Sequence, residues 1–335
     1  MGPSKEKPNS GRFVVNQFKT LKEQHDFDVE LFYLNQNKKT GLAKALRYPL
    51  FFLRFIFYYV FSLKKLSVIH VHFYFPNIAL AIFYKLCRNP KVKIVVTFHG
   101  SDIYSYSPPN FVYRMCSHLV NKYIFVSDSL KRKFYRATDA KVLSAGVLDL
   151  FYKPVTPRKA KDYDLIFVGH LEKNKGIDRL VTLLNNTELT LNVVVIGTGA
   201  YQPKPTRGNC TLSYLGAKSP EELFALYHRS RYLINLSRNE SFGLVMTEAM
   251  ACGVPVIATE TDGAIEQIEQ EKNGYIWENN DTWIDTNGED RLKAIFSLSN
   301  ESYTSLSSNA IKSAERFRLS QVCSQISNIY CQLTT

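Results

Sequence analysis

Cysteine is sparse and scattered in this chain. The six thiols (Cys87, Cys116, Cys210, Cys252, Cys323 and Cys331) include no C-x-x-C pair and no zinc-type spacing. That argues against a disulfide framework or a thiolate metal knuckle and suits a reduced, cytoplasmic setting. The first ten residues, MGPSKEKPNS, lack the apolar core of a secretory signal. Acidic side chains are scarce in residues 1–155, nine against 24 Lys and Arg, a balance of +15, while residues 156–335 hold 21 against 18, a balance of −3. The excess positive charge therefore lies entirely in the first half. Such asymmetry suggests an anionic partner there, a phosphate-rich lipid surface or a nucleic acid. No recognition module, zinc pattern or Arg/Lys-rich repeat accompanies the charge, so nucleic acid is not the expected partner.

The composition that remains, 45% hydrophobic and 21% charged over 335 residues, excludes disordered and low-complexity classes and suits two domains. Short apolar runs predict strands at Phe27–Leu34, Ser67–Phe73, Val92–His99, Lys122–Ser127, Asp164–Gly169, Leu191–Gly197, Tyr232–Leu236 and Val254–Ala258. Helical patterns lie between them at Arg12–Gln24, Asn77–Cys87, Asp178–Leu184 and Leu244–Cys252. Alternation of this kind predicts an α/β protein with parallel sheets covered on both faces. Two prolines in the basic stretch Leu150–Ala160 interrupt the pattern where the charge balance changes, which predicts a linker.

The segment Ala45–Leu66 (ALRYPLFFLRFIFYYVFSLKKL) stands apart. Its apolar stretch, Pro49–Leu63, is 15 residues long and broken by Arg54, against roughly 20 for a spanning helix. A helix packed on its own sheet is one reading. An interfacial helix with aromatics at headgroup level and Arg47, Arg54, Lys64 and Lys65 on phosphates is the other. Both hold if only one face is buried.

Chemistry concentrates in the second half, at Asn239–Ala258. Glu240 and Glu248 are separated by seven residues, with Ser241, Phe242, Gly243 and Leu244 after the first and a helical pattern through the second. Glu240 is thus expected in a loop and Glu248 about one turn inside the helix. The free N–H groups between them would form an anion site. A diphosphate there would leave Glu248 to accept hydrogen bonds from ribose hydroxyls.

This stretch resembles the E-x7-E signature of retaining glycosyltransferases of family 4, which have the GT-B fold: two Rossmann-like domains with a cleft between them. Further motifs follow in order. Phe167–Gly176 is similar to the family's G-R-L-x-x-x-K-G loop, with Gly169 and Lys175 matching and His170 in place of the arginine. Val195–Gly199 fits the next glycine turn, ending in Gly199, and Thr97–Asp102 the H-G-x-D element, with His99 and Asp102. Gly11 and Arg12 correspond to the loop that contacts donor phosphate or acceptor. The pattern Phe317–Leu333 is similar to the helix that crosses back to the first domain. The resemblance implies domains at 1–153 and 154–316, with 317–335 as the crossing helix.

It further implies a metal-independent, cofactor-free transferase that moves a sugar, with retention, from a nucleotide diphosphate donor to a glycan or lipid-linked acceptor. Cell-surface polysaccharide assembly is the expected setting, with the protein peripheral on the inner face of the cell membrane. Lys175, helped by His170 and the amides near Ser241–Leu244, would stabilise the leaving diphosphate, Glu240 would offset positive charge on the sugar, and His99 would reach the sugar from the first domain. The alternative, prompted by His170, is a non-catalytic nucleotide-sugar-binding partner of another transferase. The D-x-D at Asp162–Asp164 precedes a strand and reads as solvated entry, not a metal site. His70 is expected to take a core or hydrogen-bonding role, His118 and His228 surface or interface roles, and Cys252 that of a small buried residue. Family members also open with a strand ahead of the glycine loop. Here MGPSKEKPNSG stands in that place, so a first strand is expected to be missing, or replaced by direct pairing of Phe27–Leu34 with Ser67–Phe73.

Overall fold

The alternation of apolar runs and helical segments resolves into two parallel sheets. The structure, a computed structural model, describes residues 11–24, 27–34, 45–136, 138–155, 161–206 and 208–335. The chain divides into two compact units, one formed by the residues up to Gly146 together with Leu319–Thr335, the other by Val147–Arg318.

In the first unit, β1 (Val68–His72), β2 (Lys93–Phe98), β3 (Lys122–Phe125) and β4 (Ala140–Val142) form an all-parallel sheet in that order. Burial of every β2 residue after Lys93 fits a strand covered on both faces. Helix α1 (Arg12–Gln24) packs against the C-terminal helix Leu319–Thr334. Buried Gln17 of α1 donates from Nε2 to the Ala145 carbonyl (2.8 Å).

The expected strand Phe27–Leu34 does not form. Among the described residues it has no ladder partner, and β1 pairs only with β2. Its apolar side chains are held by packing instead: Phe32 stacks on Phe51 at 4.8 Å, and Leu34 joins a cluster with Phe51, Phe55, Leu80, Tyr84 and Val92. A cavity of about 530 Å³ separates this segment from β1 and is lined by both. The direct pairing with Ser67–Phe73 is therefore not made.

Helix α2 (Arg47–Phe55) continues through a π-helical turn at Ile56–Val60. It presents two apolar faces. Phe51 and Phe55 are buried in the cluster above, whereas Leu46, Leu50, Leu53, Phe57 and Phe61 face solvent. Spacings of three and four put those five on one stripe. Helix α3 (Tyr74–Cys87) follows β1.

The second unit is a six-stranded parallel sheet, ordered β10-β9-β8-β5-β6-β7. Its strands are β5 (Tyr163–Val168), β6 (Asn192–Ile196), β7 (Thr211–Tyr214), β8 (Ser230–Asn235), β9 (Val256–Thr259) and β10 (Gly274–Trp277). The chain builds outward from β5 in one direction, then restarts at β8 on its other side. The reversal leaves a topological switch point between β5 and β8, where open α/β sheets bind ligands beyond the strands' carboxyl ends. The helices that frame this point are α4 (Ile177–Asn186), α5 (Pro220–His228), α6 (Leu244–Ala251) and α7 (Asp262–Gln267). Phe151, from the expected linker, is buried against Tyr227 in this unit's core. The chain passes between units at Gly146–Val147 and Arg318–Leu319, seven and two residues away from the boundaries expected at 153 and 316.

Candidate active site

The loops that leave β5 and β8 carry the two residues of most chemical interest. After β5 the chain runs through Gly169, exposed His170 and a 3₁₀ turn at Lys173–Lys175 into α4. Gly176 enters that helix with φ +79°, and a Cβ there would lie 2.0 Å from the Leu236 carbonyl oxygen. Only glycine permits both the left-handed turn and the approach to the end of β8. Gly197, after β6, comes so near that a Cβ would stand 1.8 Å from the Gly169 carbonyl oxygen. Lys175 is thereby fixed over the switch point. Its Nζ donates to Glu240 Oε2 at 2.6 Å, with the two side chains only 27% and 17% exposed.

Arg238 ties the two loops together. Its N–H donates to the Asn174 carbonyl (2.8 Å), and its guanidinium holds Asp178 through two 2.9 Å bonds, contacts Asp281 and bonds the Lys173 carbonyl. These partners raise its pKa above the usual guanidinium value, the hydrogen bond to Asp178 most of all. Beneath it, the buried Arg179 bonds Asp281, Asn279 and the Leu236 carbonyl. Bidentate Arg–carboxylate bonds fix geometry as well as charge.

The loop from Glu240 to Gly243 is held from below by α7. The Gly263 N–H donates to the Glu240 carbonyl (2.9 Å), and Gln267 Nε2 bonds the Phe242 carbonyl. Buried Phe242 packs edge-on against Phe317, so its side chain is a prop. Gly243, at φ +78°, is the N-cap of α6, and no side chain caps that end. Glu248 lies within α6, where Tyr227 of α5 donates to its Oε2 at 3.2 Å. Burial, and then the nearby Glu248, push the Tyr227 phenol well above its ordinary pKa. An oxyanion or diphosphate at the α6 N-terminus would meet backbone N–H groups, Lys175 and a helix dipole of favourable sign.

The first unit holds a second constellation at the end of β2. Asp102 is buried, and its carboxylate accepts from the N–H groups of His99 (3.0 Å), Gly100 (2.9 Å) and Tyr74 (3.2 Å). Burial raises its pKa, against those three bonds. Asp102 is thus turned into the turn it stabilises. Beside that turn, the His99 ring is flanked by Phe13 (4.8 Å between centroids) and Phe73 (4.6 Å). His72 Nδ1 lies 3.1 Å from His99 Nε2, and the His72 ring stacks on His70 at 4.3 Å. His70 bonds Tyr330 and Thr97 (2.7 Å to the latter). Desolvation lowers the pKa of all three imidazoles, His72 to about 3. Gly11 (φ +65°) and exposed Arg12 lead into α1, directly before Phe13 and its contact with His99.

Glu240, Lys175, Gly169, Gly199, Ser241, Gly243, Leu244 and Glu248 therefore gather within the second unit, on the loops and helix beyond β5, β6 and β8. His99, Asp102, Gly11 and Arg12 gather within the first. Arg238, Gln267 and Tyr227 were not anticipated. Arg238 stands two residues before Glu240, the one of the three whose position offered a signal. Asp162 bonds Arg229, and the described residues hold no group of three His, Cys, Asp or Glu placed for a metal. Burial raises the Cys252 thiol above its ordinary pKa.

Comparison with known proteins adds two family matches. Residues 150–313 match "Glycosyl transferases group 1" and residues 11–147 match "Glycosyltransferase Family 4". The chain is 29% identical over 293 residues to N-acetyl-alpha-D-glucosaminyl L-malate synthase of Bacillus anthracis, covering 80% of this chain and 75% of the relative. Among solved structures, sucrose-phosphate synthase from Thermosynechococcus elongatus superposes with a TM-score of 0.73 at 17% identity, over 99% of this chain and 95% of that one. Anabaena HepE, in complex with UDP-glucose, superposes with a TM-score of 0.65 at 18% identity, over 94% and 88%.

Proposed function

The chain belongs to the family-4 glycosyltransferases of the GT-B fold, and from that premise we propose that it transfers a sugar from a nucleotide diphosphate donor with retention and without a metal. The observation that carries this reading is the Lys175–Glu240 pair, held at the switch point beside the uncapped N-terminus of α6. Departure of the donor diphosphate breaks the bond from the anomeric carbon to a phosphate oxygen. Lys175 Nζ and the first amides of α6 stabilise the charge that develops on that oxygen. Glu240 offsets the positive character of the sugar, His170 assists at the phosphates, and Glu248 receives the ribose hydroxyls. His99 serves as a substrate-contacting residue of the first unit, with the Gly11–Arg12 loop beside it. The acceptor hydroxyl bonds the anomeric carbon on the face the diphosphate leaves, and its proton passes to the departing phosphate oxygen. A second carboxylate acting as nucleophile is not required.

The acceptor in this reading is a glycan or lipid-linked saccharide of cell-surface polysaccharide assembly, met at the inner face of the membrane. Supporting it is the exposed stripe of α2 and the turn after it, where Phe57 is 73% and Phe61 75% exposed, together with basic Arg47, Arg54 and Lys65. An apolar face flanked by cations suits an anionic bilayer. No described helix is long and apolar enough to cross a membrane.

Incubation with nucleotide sugars, beginning with uridine diphosphate donors, tests the catalytic reading. The expected result is thermal stabilisation by one donor, about 2.7 kcal/mol at a hundredfold excess over Kd, and a product of retained configuration formed in the presence of chelator. An inverted product, or activity abolished by chelator and restored by manganese, would overturn it. For the membrane, binding to anionic vesicles is expected to weaken in salt and with Leu53→Ser/Phe57→Ser. Equal binding to neutral and anionic vesicles would remove the electrostatic part.

A further inference from the structure

Three histidines of the first unit, His70, His72 and His99, are arranged as a column, not as a cluster. His70 and His72 project from β1, two residues apart and therefore on one face of the strand, and their rings stack at 4.3 Å. The neighbouring strand β2 ends one residue before His99, whose ring is nearly parallel to that of His72, at 21°. The 3.1 Å gap between His72 Nδ1 and His99 Nε2 is a hydrogen bond. All three rings are kept neutral by desolvation, so that gap holds one proton. If His72 is the donor, His99 keeps its own proton on Nδ1 and offers a donor there. If His99 is the donor, its Nδ1 is left as an acceptor. Either way, the tautomer of His99 is decided by His72, because the hydrogen bond at one ring nitrogen fixes the state of the other.

We propose that His72 is a positioning residue for His99, setting through this single bond both the ring orientation and the tautomer that His99 presents to substrate. The proposal rests on the reading of His99 as a substrate-contacting residue. Each residue of the column has its own anchor. His70 is held by Tyr330 and Thr97, and the His72 carbonyl accepts from Asn77 Nδ2 at 3.1 Å. His99 is clamped at its backbone by Asp102 and at its faces by Phe13 and Phe73. Phenylalanine faces restrict tilt but do not select a proton position. His72 supplies that selection.

The test uses the full chain with ¹⁵N-labelled histidine and reads the His99 tautomer by long-range ¹H–¹⁵N correlation at neutral pH, alongside kcat and donor KM. His72→Asn carries an amide where Nδ1 lies, whereas the amide of His72→Gln sits one bond farther out. Wild type and His72→Asn are expected to show His99 in one tautomer. In His72→Gln and His72→Phe it should be a mixture, with kcat reduced about tenfold, the worth of one hydrogen bond, and KM little changed. Should the phenylalanine variant fail to fold, the asparagine–glutamine contrast still decides the matter. An unchanged His99 tautomer in His72→Gln would overturn the proposal. An altered tautomer with unchanged kcat would uphold the pairing while removing His99 from the reaction.

Discussion

Lys175 Nζ and Glu240 Oε2, 65 residues apart in the chain, meet at 2.6 Å across the switch point of the second sheet. Each is the other's counter-ion in a part-buried setting, where removal of one partner leaves an uncompensated charge. An arriving diphosphate would compete with Glu240 for the lysine and release the carboxylate toward the sugar. Glu240→Gln keeps the shape and removes the charge. It is expected to lower kcat by about 10²–10³ while donor affinity holds or rises, since Lys175 is then free for phosphate. Lys175→Ala is expected to lower both. Calorimetric donor affinity beside steady-state kinetics separates these outcomes.

Arg238 should matter although it is placed to touch loops and not substrate. Arg238→Ala removes the two Asp178 bonds and the link to the Lys173 carbonyl. Donor binding is expected to weaken about tenfold or more, with a lower melting temperature. Arg238→Lys should restore charge but not the fork, and so recover only part of the loss. Full recovery by lysine would mean that charge alone suffices.

His170 stands where the resemblance to the family's G-R-L-x-x-x-K-G loop implies an arginine. Imidazole lacks the five-donor fork and cannot clamp phosphate bidentately. His170→Arg is expected to preserve or improve donor affinity and His170→Ala to weaken it. Unchanged affinity and turnover in His170→Ala would assign the diphosphate to Lys175 and the α6 amides alone.

The histidine column makes the first unit acid-sensitive. A histidine near 6.5 in the unfolded chain and about 3 when folded, as for His72, binds protons preferentially in the unfolded state between those values. Its contribution is fully present above pH 6.5 and is lost progressively as pH falls toward 3. At pH 5 the loss for His72 alone is about 2 kcal/mol, and His70 and His99 shift in the same direction. Denaturant titrations at pH 7.5 and pH 5 should therefore show a larger drop for wild type than for His72→Asn, where one of the three protonations is deleted. Equal drops would refute the assignment.

Much of this was readable in advance because it depends on local pattern. The run KIVVTF and the apolar stretches around residues 166 and 194 announce buried parallel strands, and the spacing from Glu240 to Glu248 locates a loop and its helix. What was illegible depends on distant partners. Arg238 acquires its role from Asp178 and Asp281, and Gln267 from the Phe242 carbonyl. Strands β7 and β10 are partly exposed and lack the longer unbroken apolar run that marks the equally short β3 and β9. Phe27–Leu34 misled for the opposite reason. Its apolar side chains are genuine core formers, but Phe32 and Leu34 are satisfied by packing on α2, with no backbone ladder among the described residues.

The first unit is closed by a helix that follows the whole of the second unit in the chain. Leu319–Thr335 belongs to it, while Val147–Arg318 intervenes as the other unit. During synthesis the usual order, amino-terminal domain first, is thereby inverted. The second unit has its whole sequence before the first does. At about 5–20 residues per second, the first sheet waits roughly 10–40 s for the helix that covers α1. Through that interval the Gln17 face of α1 and the histidine column near Tyr330 lack their eventual cover. A nascent chain arrested before residue 319 should therefore resist protease across the second unit and be cut within the first.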